Sequence, residues 1–560
     1  MLTKATVESL IPILQRDARR ALSMRVPGFS KPYFCSFLLK DIDTFNTWAS
    51  SGSTGRSTTD RTRTVCCDLR VGSYEYDQVT EGGLREPDED LESHSFHTVP
   101  IDDTAFDGLR LTLWRLLESK FREALSDYNQ RQASRISTPD PNQSIRSFTR
   151  VKRASYRRFK RLETIDYEQW SKFCKRASLW LSSLPRLSGS WVEFDLSQET
   201  RIFVSTEGSV TVQNSQVVSL SANLHKLTSE GSRLEQELVI NVGAERELPD
   251  LKRFKKLVLE KYDRLMRLSR ARKIHAFSGP VLLYPGPAGL LFHEAVGHRL
   301  EGSRLLAAGE GQTFRGQEGK EILKLPITIR DDPSMHSYRG QRCVGAYTYD
   351  DEGVRAKNAV LIQDGVLKGF LSTRAAHKKE RHESNGHART KHHQRPISRM
   401  AVTIVESKKG LPFERLKAKL LLEIRRQKKP FGMIVYETNG GETDTTNYDF
   451  QAFSGDIAYA TLVYPNGREV CVRGVNFVGT PLQALSNIIA IGDTPELDNG
   501  YCGAESGLIP ISTISPAALI SNLELQGKEE ELVTPSILQR PKILRRRPKA
   551  RQRRRRRARR

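Results

Sequence analysis

No stretch of this 560-residue chain approaches the roughly 20 consecutive apolar residues that a membrane-crossing helix needs. Met1 to Leu22 has neither an uninterrupted apolar segment nor a small-residue cleavage site, so it predicts an ordinary amphipathic first helix rather than a secretory signal. Cysteines number only seven, at 35, 66, 67, 174, 343, 471 and 502, an odd set without repeated spacing. That pattern argues against a disulfide framework and predicts reduced thiols in a cytoplasmic protein. No internal repeat is present. Acids are missing in one place: Pro541 to Arg560 holds 13 Lys or Arg and no Asp or Glu. The tail therefore supplies 13 of the net +23, and the remaining body, at about +10, is mildly basic. Such a tail has nothing to bury and is expected to be disordered. It reads either as an arm with weak affinity for polyanions or as a dispensable extension. The lack of aromatic residues among its arginines favours the extension.

What the chain does contain is globular. At 38% hydrophobic and 28% charged residues, with ample Leu, Val, Ile and Phe, it can build more than one core. The pattern predicts an α+β protein: an N-terminal mixed domain over 1–240, a β-rich C-terminal domain over 241–530 carrying a metal-binding helix, and a disordered Arg-rich tail over 531–560. Extended runs are expected at Tyr33–Leu39 and Val65–Val71, with a Ser/Thr/Gly/Arg loop at 50–64 between them. A helical period covers 103–130. A Ser/Pro/Asn/Gln insert follows at 131–148. The basic stretch 150–161 reads first as a solvated helix face and second as a nucleic-acid contact, and a helix is expected over 167–184. Strands are expected at 191–195, 201–206 and 209–213, the last two joined by Glu207-Gly208. A helix from Pro249 leads into a buried strand at 279–284. Asp364-Gly365 and Asn466-Gly467 mark hairpins, and a further helix is expected over 480–491.

That buried strand delivers the chain to the motif His293-Glu294-x-x-x-His298. Two imidazoles can hold a divalent ion, and a glutamate beside the first can take a proton from water. In a regular α-helix, residues i and i+4 lie about 40° apart around the axis, but i and i+5 lie about 140° apart. Both histidines face one ion only if the helix is locally overwide, as at a π-bulge, or ends between them. Gly297 is the residue expected to permit that distortion. A catalytic zinc normally takes three protein ligands. The candidates for the third are Glu301, His336, His377, His382, His387, His392, His393, Cys343, Cys471 and Cys502. Cys502 stands out because it lies in the turn-rich Leu497-Asp-Asn-Gly-Tyr-Cys-Gly503, where a thiol has little packing purpose. The histidines from 377 to 393 read more simply as a polar surface loop.

Four ordered motifs resemble the TldD/PmbA family of zinc metallopeptidases. Leu291-Phe-His-Glu-Ala-Val-Gly-His-Arg-Leu-Glu-Gly302 is similar to the family's metal helix. Ser384-Asn-Gly-His-Ala-Arg389 and Arg395-Pro-Ile-Ser-Arg-Met400 resemble its central segment. Gly440-Gly-Glu-Thr-Asp444 with Phe450-Gln-Ala-Phe453 is similar to its glycine-rich turn and next strand. Gly492-Asp and Asp498-Asn-Gly-Tyr-Cys-Gly503 resemble its closing segment. The resemblance implies His293, His298 and Cys502 as ligands of one Zn2+ per chain and Glu294 as general base. It also implies a dimer, either with a second copy or with an inactive paralogue. Where the family continues with lysine-aspartate-glycine, this chain has Ala504-Glu505-Ser506-Gly507.

The expected function is therefore hydrolysis of unfolded or linear peptides. The alternative is a nucleic-acid- or gyrase-associated regulatory protein with a structural metal, although a closed structural site needs no glutamate beside its first histidine. Glu301 reads equally as a partner orienting a ligand histidine or as a cap on the helix end. Arg389 and Arg399 read either as a clamp for a peptide carboxylate or as ties that close the domain. Cys66-Cys67 reads as packing, and the acids at 331–332 and 350–352 as turn residues.

Overall fold

The structure, a computed structural model, describes residues 2–84, 97–137, 145–160, 162–378, 382–446, 452–528 and 532–533. The Arg-rich tail and the middle of the Ser/Pro/Gln insert lie outside the described residues. Within them the α+β expectation holds.

The first half is one six-stranded sheet, four of whose strands run 17 to 19 residues. The strands are β1 (Pro32–Ser50), β2 (Ser53–Val71), β3 (Ser155–Arg157), β4 (Gly189–Ser205), β5 (Val210–Leu227) and β6 (Arg233–Val242). Their order is β2-β1-β4-β5, with β3 and β6 each pairing with β5. Side chains alternate between faces along each strand. On β1, Cys35, Phe37 and Leu39 pack under the helices Lys4–Ala21 and Asp107–Ser137, while Phe45 and Ala49 meet the helices Tyr167–Ser182 and Leu251–Leu268. The even-numbered Leu38 and Lys40 point the other way, onto the C-terminal half. There Gly353, at φ +74°, lies so close to Phe203 that a Cβ would sit 2.4 Å from the ring.

Several local expectations are corrected here. Residues 53–64 are not a loop: β1 turns at Ser51-Gly52, both at positive φ, and the Ser/Thr/Arg run continues as strand. Its outer half is an exposed edge, so it carries no hydrophobic alternation, and the ladder to β1 alone holds it extended. The runs at 191–195 and 201–206 are one strand, β4, which crosses the whole sheet. The basic stretch is not a helix face: Ser155–Arg157 pairs in parallel with β5. The helix expected over 480–491 stops at Ser486, and Ile488–Ile491 becomes a strand against residues 518–520. The turn at Gly208, φ +88°, is as read from the sequence.

Among the described residues the C-terminal half contains two large sheets and two small two-stranded ones. Strands Ala276–Leu283, Ala518–Gly527, Val475–Gly479, Phe453–Val463 and Gly432–Thr443 pair successively, and the last also pairs with the first, closing a ring. The second sheet has six strands and ends in the edge strand Glu496–Cys502 beside Ile509–Ser515. Between the two lies the helix Pro285–Phe292 with its continuation to Leu300, and every residue from Leu291 to Leu300 is buried. A helix apolar around its whole circumference can be stable only when covered in this way. Among the described residues no helix is long and apolar enough to cross a membrane.

Candidate metal centre

The helix that begins at Pro285 widens at its end into a π-turn over His293–Gly297, then tightens to a 3-10 turn over His298–Leu300. The His298 N–H bonds the His293 carbonyl, an i to i+5 bond that rotates two histidines five apart toward the same side. This is the distortion that the motif's spacing demands. The reason for glycine at 297 differs from the one expected. Its backbone is ordinary right-handed helix, at φ −55° and ψ −59°. A Cβ there would lie 2.0 Å from the Met400 sulfur, so glycine is required by packing and not by conformational freedom.

Cys502 arrives from the end of the edge strand, 204 residues later, with its Sγ 3.4 Å from His298 Nε2. One donor atom from each of His293, His298 and Cys502 lies within 4.8 Å of the others, and all three residues are buried. The two imidazole rings are perpendicular, with centroids 4.8 Å apart. His293 Nδ1 is buried without a hydrogen-bond partner, a costly condition for a polar atom with no ligand to meet. Burial alone would raise the Cys502 thiol, but the charges and hydrogen bonds of His298 and His293 outweigh it and hold the pKa well below the usual range. A thiolate between imidazoles, with an orphaned ring nitrogen, is a donor set that fits zinc.

Glu301 resolves in favour of orienting His298. Its carboxylate accepts from His298 Nδ1 at 3.2 Å and from Arg304 Nε at 2.9 Å, and Arg399 Nε lies 3.7 Å away. Burial opposes its charge, yet His298, Arg304 and Arg399 hold its pKa down to about 2. The bond to Nδ1 leaves Nε2 of His298 facing Cys502. Burial lowers the affinity of His298 for a second proton, but Glu301 and then Cys502 raise its pKa to about 10. Removing such an orienting partner typically costs about 10- to 100-fold in metal affinity. Glu301→Gln is accordingly expected to weaken zinc binding on that scale, read by competition with a chromogenic chelator. Unchanged affinity would show that Glu301 serves only the fold.

Arg399 is fully buried and ties the closing segment down. It donates to the Cys502 carbonyl at 2.7 Å, the Cys502 sulfur at 3.3 Å and the Ser506 hydroxyl at 2.9 Å. Arg389 donates to the Met400 and Pro510 carbonyls, so both arginines act as ties within the domain. Two partners escaped sequence reasoning. Arg304 joins Glu301, Glu310 and Glu505, which gives the departure at 504–507 a structural account. Asp498, exposed to solvent, lies on the same strand face as Cys502. Glutamates scattered over two hundred residues carry no spacing signal.

The histidines from 377 to 393 do not form one site. His377 and His382 face each other, His387 bonds Asp331 and Asn385, and His393 stacks on His97. The acid at 331 is no turn residue: Asp331 is fully buried and accepts from Ala401 N, Val402 N and Thr403 Oγ1, fixing the strand that follows Met400. Asp350 is a turn acid as expected, accepting from Glu352 N and Val354 N, but it and Asp351 are buried and also accept from Ala388 N and Thr390 N.

Residues 278–527 match the model of the PmbA/TldA metallopeptidase C-terminal domain. That part of the chain is similar to the TldD/PmbA family. Among relatives, it is 28% identical over 347 residues to a metalloprotease of Methanocaldococcus jannaschii, covering 57% of this chain and 72% of that one. It is 34% identical over 234 residues to a metalloprotease of Archaeoglobus fulgidus, covering 41% and 49%. To a metalloprotease TldD homolog of Haemophilus influenzae it is 30% identical over 251 residues, covering 44% and 48%. The chain thus spans about half the length of the last two. TldE from Thermococcus kodakarensis shares the fold, with TM-score 0.60 and 13% identity over 93% of this chain and all of that one. So does a protein of Thermotoga maritima described as a modulator of a DNA gyrase, with TM-score 0.62 and 16% identity over 92% and 100%. The His293-Glu294-x-x-x-His298 turn lies inside the matched residues.

Proposed function

We propose that the protein is a zinc-dependent peptidase that hydrolyses linear or unfolded peptides at the His293–His298–Cys502 centre. The observation that carries this reading is the π-turn, which brings both imidazoles to the Cys502 thiolate and leaves Glu294 beside them without a hydrogen-bond partner among the described residues. A zinc ion held there would supply Lewis acidity and make a water acidic near neutral pH. Glu294 is buried, and that burial raises its carboxyl pKa above the usual value despite the opposing charges of His293 and His298. Such a carboxylate is suited to accept a proton from the attacking water and return it to the leaving amine. Glu301 keeps His298 in the tautomer that presents Nε2, and Arg399 fixes the sulfur. The negative Cys502 sulfur makes the centre less electrophilic than one of imidazoles alone, so turnover is expected to be modest. The edge strand ending in Cys502 suits an extended peptide added as a further strand, which favours linear over folded substrates.

Elemental analysis of the untagged protein tests the centre. About one zinc per chain is expected, falling sharply in Cys502→Ala and in His293→Ala. Zinc retained by Cys502→Ala would remove the third ligand and with it this reading.

A further inference from the structure

One residue before Cys502, at the joint between the two halves, lies a small cavity of about 50 Å³. A single water needs about 10–15 Å³ by this measure, so the space admits a few waters or one carboxylate group. Tyr501 and its cross-strand partner Pro510 form one wall, and Tyr501 is 41% exposed, so the cavity opens to solvent on that side.

The lining is unbalanced in charge. Lys40, Arg201, Arg389 and Lys391 supply four cations, while Asp351 and Glu199 supply two carboxylates. Asp351 is already shared: Lys40 Nζ reaches one oxygen at 3.1 Å and Arg201 Nη1 the other at 2.9 Å. Glu199 is taken by Arg201 Nε at 3.2 Å. Arg389 has no carboxylate partner among the described residues. Its guanidinium is 5% exposed, spends two N–H groups on the Met400 and Pro510 carbonyls, and stacks 5.2 Å from the Tyr347 ring centre. Lys391 likewise forms no ion pair among the described residues. Uncompensated cations are expensive to bury, and an anion in the space between them removes that cost.

We propose that this cavity is a carboxylate subsite for the peptide substrate. The inference rests on the peptidase reading and deepens it. A peptide laid along the edge strand toward Cys502 passes Tyr501, so a carboxylate held here fixes the scissile bond a short, set distance from the metal. The carboxylate comes either from the chain terminus or from an acidic side chain, and the subsite makes cleavage selective for peptides that carry one there.

The test uses zinc-loaded full-length Glu294→Gln protein, which binds without cleaving, and calorimetric titration with three acetylated hexa-alanine peptides. One ends in a free carboxylate, one in an amide, and one in an amide with glutamate as its last residue. At least about tenfold tighter binding of an acid-bearing peptide than of the neutral amide is expected, about 1.4 kcal/mol. Preference for the free acid assigns the terminus, and preference for the glutamate peptide assigns the side chain. Lys391→Gln, at a partly exposed position, should narrow the difference. Equal affinity for all three in the unmutated subsite overturns the carboxylate assignment while peptide binding itself stands. Binding of none overturns the peptidase reading along with it.

Discussion

Glu294→Gln should lower the rate of peptide hydrolysis by about 10²- to 10⁴-fold while the zinc content stays near one per chain. The substitution is close to isosteric, and because the Glu294 side chain has no hydrogen-bond partner among the described residues, no fold contact is sacrificed. What disappears is the ability to take a proton from water and return it to the amine. The proposed metal ligands His293, His298 and Cys502, together with Glu301 and Arg399 behind them, are untouched. Steady-state cleavage of an unstructured fluorogenic peptide, with metal analysis of the same preparation, separates the two effects. A rate equal to that of the unmutated protein would deny Glu294 its role. Loss of rate accompanied by loss of zinc would make it a structural residue instead.

The centre was legible in the sequence to an unusual degree because its first part is local. His293, Glu294 and His298 lie within six residues, and their spacing excludes a regular helix, so a π-turn or a helix end could be expected from geometry alone. The third ligand was not legible in that way. Cys502 is one of ten plausible donors, and nothing in spacing connects it to a helix two hundred residues earlier; its turn-rich setting drew attention to it, the resemblance supplied the role, and the pairing of its edge strand in the second sheet brings it beside His298. The same limit applies to Glu505 and Arg304, which meet only after the chain has folded. Gly297 shows a subtler failure. Glycine beside a distorted turn suggests backbone freedom, whereas the constraint is the Met400 sulfur above it. In the first half, polar composition hid strand structure. Residues 53–60 are exposed throughout, so their alternation carries no hydrophobic signal, and register is fixed by eighteen paired residues of β1 rather than by a buried face. Long strands also hide their own continuity: β4 reads as two strands because Leu196 to Thr200 is mostly polar.

The acids at 350–352 raise a sharper point about how the halves are held. As a sequence, Asp350-Asp351-Glu352 looks like a surface turn, but Asp351 is 4% exposed and bridges Lys40 and Arg201 from two different strands of the first sheet. It also accepts from the Thr390 amide at 2.9 Å. Neutralising one member of a buried ionic cluster leaves its partners charged in a poorly solvated place, at a cost of about 3–5 kcal/mol. Asp351→Asn is therefore expected to destabilise the protein by about that amount. The exposed pair Arg122–Glu118, with both side chains well solvated at 77% and 46% exposure, supplies the control. Glu118→Gln should change stability by less than about 0.5 kcal/mol. Urea unfolding followed by tryptophan fluorescence distinguishes them, since Trp170 and Trp191 belong to the half that Asp351 clamps. If Asp351→Asn shifts the midpoint no more than Glu118→Gln does, water must reach the cluster, and the joint between the halves is wetter than its packing indicates. A large shift would instead identify Asp351 as a clasp that ties Lys40 and Arg201 of the long sheet to the Thr390 amide of the C-terminal half.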